Sequence, residues 1–178
     1  MSFVGADSAE PPDSFTAVVE AHWTAVYRLL YSMTGNPHDT EDLTQETFLR
    51  ALNRWDTFKE GTNLRAWLLR IGTNAFFDIR RKKQTLKIGP LAEEVESKAD
   101  SVETLLETQE QGELVRVAMR DLSELTRLVF HLRVTEDLSF KIIGKVAGIT
   151  EVAARQHMHQ ARSKLLRRFG DPPDKEEP

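Results

Sequence analysis

The chain has 178 residues, an apolar fraction of 40% and a charged fraction of 29%, which suits one ordinary domain or two small ones. It holds no cysteine, which excludes disulfides and thiolate zinc sites and fits a reducing compartment. No apolar run approaches the roughly 18–20 residues of a membrane span, and the first residues lack the basic and apolar parts of a secretion signal, so a cytoplasmic protein with no membrane span is expected.

Net charge is −4, but it is unevenly spread: residues 1–56 carry nine acids against three bases, and residues 84–124 ten against four. Between them lies Arg80-Arg81-Lys82-Lys83, and residues 155–168 hold Arg155, Arg162, Lys164, Arg167 and Arg168 with no acid. Nucleic-acid binding needs only a local positive face, so the net charge does not exclude it.

Helical periodicity dominates and no alternating strand pattern stands out. The expected fold is all-α: two small helical domains joined by a flexible acidic linker, the C-terminal one a helix-turn-helix. In chain order, residues 1–13 are expected to be disordered. A first helix runs from Ser14 to about Met33, with Phe15, Val18, Val19, His22, Trp23, Val26, Leu29 and Leu30 on a helical spacing. Thr34-Gly35-Asn36-Pro37 reads as a turn. A second helix starts at Asp39 as N-cap and runs to about Trp55. Residues 57–63 form a loop, and a third helix spans Leu64 to about Lys83, closing a first domain at 14–83.

Residues 84–103 read as the linker. The second domain, 104–169, begins with a helix through Leu105, Leu106, Leu114, Val117, Ala118 and Leu122. Further helices follow at 125–134, 139–146 and 150–169, and residues 170–178 read as a disordered tail.

The last two helices are separated by Ala147-Gly148-Ile149. Ser139 and Thr150 are candidate caps, Gly148 permits a left-handed turn, and Ile149 plugs the gap between the helices. A short helix, a glycine turn and a longer basic helix is the arrangement that seats a second helix in the DNA major groove. On a helical wheel Ala154, Met158, Ala161, Leu165 and Phe169 face inward. Val152, Gln156, His159, Gln160 and Ser163 lie opposite, flanked by Arg155, Arg162 and Arg167. Glutamine and arginine make bidentate contacts with base edges, while Arg167 and Arg168 suit phosphate.

In the second helix Leu43, Thr47, Phe48, Ala51, Leu52 and Trp55 share one half, and Asp42, Gln45, Glu46, Leu49 and Asn53 the other. The spacing leaves open a docking patch for a basic partner or a solvated acidic face with one stray leucine. In the third helix Leu64, Trp67, Leu68, Ile71, Ala75 and Ile79 form the apolar stripe, with Arg65, Thr73, Phe76, Arg80 and Lys83 off it. Two readings stay open there: a basic face with an aromatic that stacks on melted nucleic acid, or Phe76 and Phe77 packing on a neighbouring helix.

At this point the residues resemble a family. Thr40-Glu41-Asp42-Leu43-Thr44-Gln45-Glu46-Thr47-Phe48 resembles the core-polymerase-binding helix of bacterial RNA polymerase sigma factors. Leu64-Arg65-Ala66-Trp67-Leu68-Leu69-Arg70-Ile71-Gly72-Thr73-Asn74 looks like their promoter-melting helix. Leu138-Ser139-Phe140 through Gly148-Ile149, then residues 155–165, is similar to their C-terminal helix-turn-helix. With two domains and a short linker, the chain most resembles the extracytoplasmic-function group of the sigma-70 family.

The resemblance implies an initiation factor that binds core RNA polymerase through Asp42, Gln45, Glu46, Leu49 and Asn53. It implies capture of a flipped base of the downstream ("minus ten") element by the 57–63 loop, with Phe58, Lys59 and Asn63. Arg65, Thr73, Asn74, Phe76, Arg80, Arg81 and Lys83 would hold the melted strand and the duplex edge. Val152, Arg155, Gln156, His159, Gln160, Arg162 and Arg167 would read the upstream ("minus thirty-five") element, and the linker would thread toward the RNA exit path. Expected partners are core polymerase and promoter DNA, with an anti-sigma factor common in the group; no cofactor, metal or small-molecule substrate is expected. The chain departs from the family's usual residues at Ile142 (glutamate), Gly144 (alanine), and His157 and Gln160 (arginines), so no promoter sequence is carried over.

Two rivals weigh less. An enzyme would need a cleft around Glu41, Asp42 and Glu46, yet carboxylates on the outer face of one helix are ordinarily solvated, and His157 and His159 point about 200° apart on a helix and cannot share a metal. A repressor or activator independent of polymerase would need a ligand pocket or dimer seam in the first half, and no sequence feature supplies one.

Overall fold

The computed structural model describes residues 15–87 and 119–169. The expected disordered ends, the linker beyond residue 87 and the helix expected through Leu105 and Leu114 lie outside the described residues. Among those described there are six α-helices, one 3-10 turn and no strand: α1 (Phe15–Thr34), α2 (Pro37–Asn53), α3 (Leu64–Lys87), α4 (Glu124–Val134), α5 (Phe140–Ala147) and α6 (Glu151–Phe169). The chain divides into two units, Met1–Ser97 and Lys98–Pro178.

In the first unit α1, α2 and α3 pack on one another. The α1 stripe buries Ala25, Val26, Leu29, Leu30 and Met33. Gly35, at φ 67°, turns the chain, and α2 begins earlier than expected. Its N-cap is Asn36, whose side chain accepts from the Asp39 backbone N–H at 3.1 Å, with Pro37 as the first helical residue. Proline suits that position because its missing N–H would be unpaired there anyway. Asp39 therefore sits inside the first turn, where its charge complements the helix dipole, and does not cap it.

The inner face of α2 carries a threonine stripe, of which the sequence spacing placed only Thr47 inside. Thr40, Thr44 and Thr47 are fully buried. Each donates its hydroxyl to a carbonyl one turn back, Thr40 to Asn36, Thr44 to Thr40 and Thr47 to Leu43, at 2.6–2.7 Å. With the hydroxyl satisfied locally, threonine packs as a small branched apolar residue. Gly72 of α3 lies against this stripe: a Cβ there would stand 3.2 Å from Thr47 Oγ1. Leu52, expected inside, is instead 41% exposed.

α2 ends at Asn53 and Trp55–Thr57 form the 3-10 turn. Trp55 is buried, with Phe15, Phe58 and Trp67 around it at ring-centroid distances of 5.4–5.8 Å. α3 runs to Lys87, further than expected. It buries Ala66, Leu68, Leu69, Ile71, Ala75 and Phe76, while Ile79 is 37% exposed.

In the second unit α4, α5 and α6 pack on one another. Ser123 caps α4 through the Thr126 N–H and Ser139 caps α5 through the Ile142 N–H. Leu128, Val129, Leu132, Ile143, Ala154 and Ala161 are fully buried. Gly148 adopts φ 69°, ψ 31° at the end of α5, and Thr150 Oγ1 accepts from the Ala153 N–H at 3.1 Å to start α6. The turn is the one the tripeptide announced. Gly144 lies where a side chain would collide: a Cβ there would stand 2.8 Å from the Ile149 carbonyl oxygen. The Ile149 N–H bonds to the Gly144 carbonyl at 2.9 Å, so α5 and the turn approach backbone to backbone.

Candidate functional site

The outer face of α2 carries the five residues expected there. Asp42, Gln45, Leu49 and Asn53 are exposed, and Glu46 is half-exposed. Leu49 is 58% exposed, held out on a helix whose other face is fixed by Leu43, Thr47 and Phe48. The acids beside it are partly engaged. Glu46 accepts from Arg50 Nε at 2.7 Å, and Arg50 reaches across to Asp78 of α3 at 3.2 Å. Asp42 lies 3.3 Å from His38 Nδ1. His38 is raised above its ordinary value first by its own backbone hydrogen bond and then by Asp42.

The 58–63 loop leads into α3. Lys59 is exposed, and so is Asn63, whose Oδ1 accepts from the Ala66 N–H at 3.0 Å and caps α3. Thr62 Oγ1 donates to the Lys59 carbonyl at 2.6 Å and Gly61 takes φ 73°, which close the loop on itself. Phe58 is half-buried, 5.3 Å from Trp67 and 5.4 Å from Trp55, so its ring anchors the loop to the core.

Along α3 the structure corrects the expected face. Arg65, Asn74, Arg80, Arg81 and Lys83 are exposed, and Arg81 Nη2 pairs with Asp78 at 2.6 Å. Thr73 and Phe76 are buried, at 3% and 4% exposure. The Phe76 ring lies 5.3 Å from Phe77 in an edge contact. Of the two readings left open for Phe76, packing holds, because its side chain points into the bundle. Half-buried His22 of α1 is shifted below its ordinary value, first by burial and then by Arg65.

On α6 the wheel separates as expected where side chains are described. Ala154 and Ala161 are buried, Met158 and Leu165 half-buried, and Val152 is 65% exposed. Arg155, Gln156, His159, Gln160, Arg162 and Arg167 are all exposed. Arg155 donates to Glu151 at 2.6 Å and its guanidinium carbon lies 4.7 Å from the Phe140 ring centroid. Toward the end of the helix, Arg168 pairs with Asp121 and Lys164 Nζ donates to the Asp121 carbonyl at 3.2 Å. His157 turns inward: its Nδ1 lies 3.0 Å from Thr126 Oγ1 on α4.

The arrangement is two exposed basic surfaces, one per unit, with an apolar and acidic patch on the opposite half of α2. Among the described residues no group of three or more His, Cys, Asp or Glu is placed to hold a metal ion, and no helix is long and apolar enough to cross a membrane.

Comparison with known proteins accounts for this layout. Residues 18–85 match the family described as Sigma-70 region 2, and residues 118–167 match Sigma-70, region 4. The chain is 33% identical over 162 residues to the ECF RNA polymerase sigma factor SigE of Mycolicibacterium smegmatis, covering 89% of this chain and 62% of that protein. It is 29% identical to SigW of Bacillus subtilis, another ECF sigma factor, covering 89% and 90% respectively. Its fold is similar to that of the sigma factor RpoE, solved with the anti-sigma factor NepR from Bartonella quintana: TM-score 0.73, 22% identity, 87% of this chain and 96% of that one. With both regions matched in order and nine-tenths of the chain aligned to such relatives, the chain belongs to the sigma-70 family of RNA polymerase sigma factors, in its ECF group.

Proposed function

We propose that this chain binds core RNA polymerase and directs promoter-specific initiation of transcription. The observation that carries the reading is Leu49, a large apolar side chain held 58% exposed among Asp42, Gln45, Glu46 and Asn53. The match of residues 18–85 to Sigma-70 region 2 supports a polymerase partner for that patch. In this reading those five residues dock on the polymerase, the leucine supplying the apolar anchor and the carboxylates choosing a basic partner surface.

Promoter contact is shared by two surfaces. In the first unit Lys59, Asn63, Arg65, Asn74, Arg80, Arg81 and Lys83 supply cations and amides to the opened downstream element. Phe58, Thr73 and Phe76 shape and support that surface from inside. In the second unit Val152, Arg155, Gln156, His159, Gln160 and Arg162 read the upstream element in the major groove, and Arg167 contacts phosphate. The division of labour follows the expected domains, 14–83 and 104–169, and the chain contributes binding and positioning while the polymerase carries the chemistry. An inhibitory anti-sigma protein is a further proposed partner, as the RpoE relative has in its complex with NepR.

Gel filtration with purified core polymerase followed by run-off transcription tests this. Co-elution and chain-dependent, promoter-dependent transcripts are expected; a chain that does not co-elute, or supports no such transcript, overturns the reading.

A further inference from the structure

Two guanidiniums share one aromatic ring at the start of the helix-turn-helix. Phe140, the first residue of α5, is half-buried. The guanidinium carbon of Arg155 lies 4.7 Å from its ring centroid and that of Arg133 5.5 Å. Each cation is also tied to a carboxylate one turn away, Arg155 to Glu151 at 2.6 Å and Arg133 to Asp137 at 3.0 Å. Arg133 donates as well to the Leu138 carbonyl at 3.1 Å, which anchors it across the turn where Asp137 takes φ 47°. The ring is therefore in contact with one arginine fastened to the α4–α5 turn and with one on the exposed face of α6.

An exposed arginine ordinarily samples many rotamers and must be ordered when it binds. Arg155 is already held by two contacts: its guanidinium lies over the Phe140 ring, and Glu151 takes one Nη2 hydrogen. Its other donors stay available. Bidentate recognition of a base edge depends on the direction of the guanidinium fork.

We propose that Phe140 is a positioning residue for base recognition. With Glu151 it presets the Arg155 guanidinium and so establishes a guanine preference at the one base pair that Arg155 reads. The inference rests on the proposed reading of α6 as the base-reading helix and adds to it a residue on the preceding helix.

The test is selection from a random duplex DNA library with the full chain, scored position by position. The wild type is expected to favour guanine at one position by roughly tenfold, in the range of a bidentate arginine–guanine contact. Arg155→Ala should abolish that preference and leave the others. Phe140→Leu, which keeps an apolar side chain, should reduce it to about threefold or less, and Phe140→Tyr should retain it, since tyrosine keeps the ring face. Adding Phe140→Leu to Arg155→Ala should change nothing further. Glu151→Gln, at an exposed site with little bearing on folding, should also weaken the preference. Circular dichroism separates unfolding from a change in specificity.

A folded Phe140→Leu that keeps the full guanine preference overturns the inference and leaves the reading of α6 intact; so does an unaltered preference in Glu151→Gln. No sequence enriched by the wild type, or no change with Arg155→Ala, overturns the reading of α6 itself and the inference with it.

Discussion

His157 Nδ1 and Thr126 Oγ1 lie 3.0 Å apart, and the same threonine hydroxyl lies 2.8 Å from Ser123 Oγ, the N-cap of α4. The cap of one helix is thereby hydrogen-bonded into the next helix but one. His157 thus belongs to the packing of the second unit. His157→Ala should destabilise that unit by about 1–2 kcal/mol by stripping a buried hydroxyl of a partner. Combined with Thr126→Val, the loss should fall short of the sum of the single losses by about 0.5–1 kcal/mol. Urea unfolding of the four chains measures this, and strictly additive losses would remove the coupling.

Gly144→Ala should destabilise the helix-turn-helix despite alanine's better helix propensity. The gain is up to about 1 kcal/mol. Against it, the new Cβ would stand 2.8 Å from the Ile149 carbonyl, and a backbone oxygen yields only if the turn moves, a cost of about 1–3 kcal/mol. A net loss in thermal unfolding is expected; a stabilised variant would show that the turn relaxes freely.

Phe76→Ala and Arg80→Ala separate support from contact on α3. Phe76 is 4% exposed, and emptying its site should cost about 3–5 kcal/mol. Arg80 is exposed, and its replacement should leave folding within about 0.5 kcal/mol while weakening binding to single-stranded or melted DNA. Equal losses of stability would contradict the division.

His22 makes the first unit sensitive to acid. Burial and then Arg65 lower its value from 6.5, so below that point the unfolded chain takes up a proton that the fold disfavours. The contribution is complete above 6.5 and is lost as pH falls toward the depressed value. Between about pH 7.5 and pH 5.5 the wild type should lose more Tm than His22→Gln. Parallel losses would assign the acid sensitivity to other groups.

How far the chain announced itself depends on the kind of signal. The six described helices follow from apolar periodicity, and Ser139, Gly148 and Thr150 mark the helix-turn-helix because caps and positive φ leave a local imprint. Thr40 and Thr44 were illegible as core, since their polarity disappears only once each hydroxyl finds its i−4 carbonyl, whereas Thr47 already stood on the apolar half of α2. The wheel left Phe76 open between an outer face and packing because it measures angle and not how wide a face the neighbouring helices cover. Gly144 and His157 answer to contacts with Ile149 and Thr126 that sequence spacing does not encode. Among the candidate site residues, the outer face of α2 and the exposed side of α6 were readable from the wheel alone. The α3 face was readable for its charges and misplaced for Thr73 and Phe76.

The proposed docking patch on α2 gives the sharpest separation of surface from core. Leu49 is 58% exposed, so Asp42→Arg combined with Leu49→Ala should leave the fold within about 0.5–1 kcal/mol of wild type. Initiation by a polymerase-bound chain is tested by mapping transcript 5′ ends made by core polymerase on pooled genomic DNA. Reactions with the wild-type chain, the double variant and no added chain are compared. New start sites sharing two upstream sequence elements should arise only with the wild-type chain. The same start sites with the folded double variant or with core alone, or none with the wild type, would contradict it.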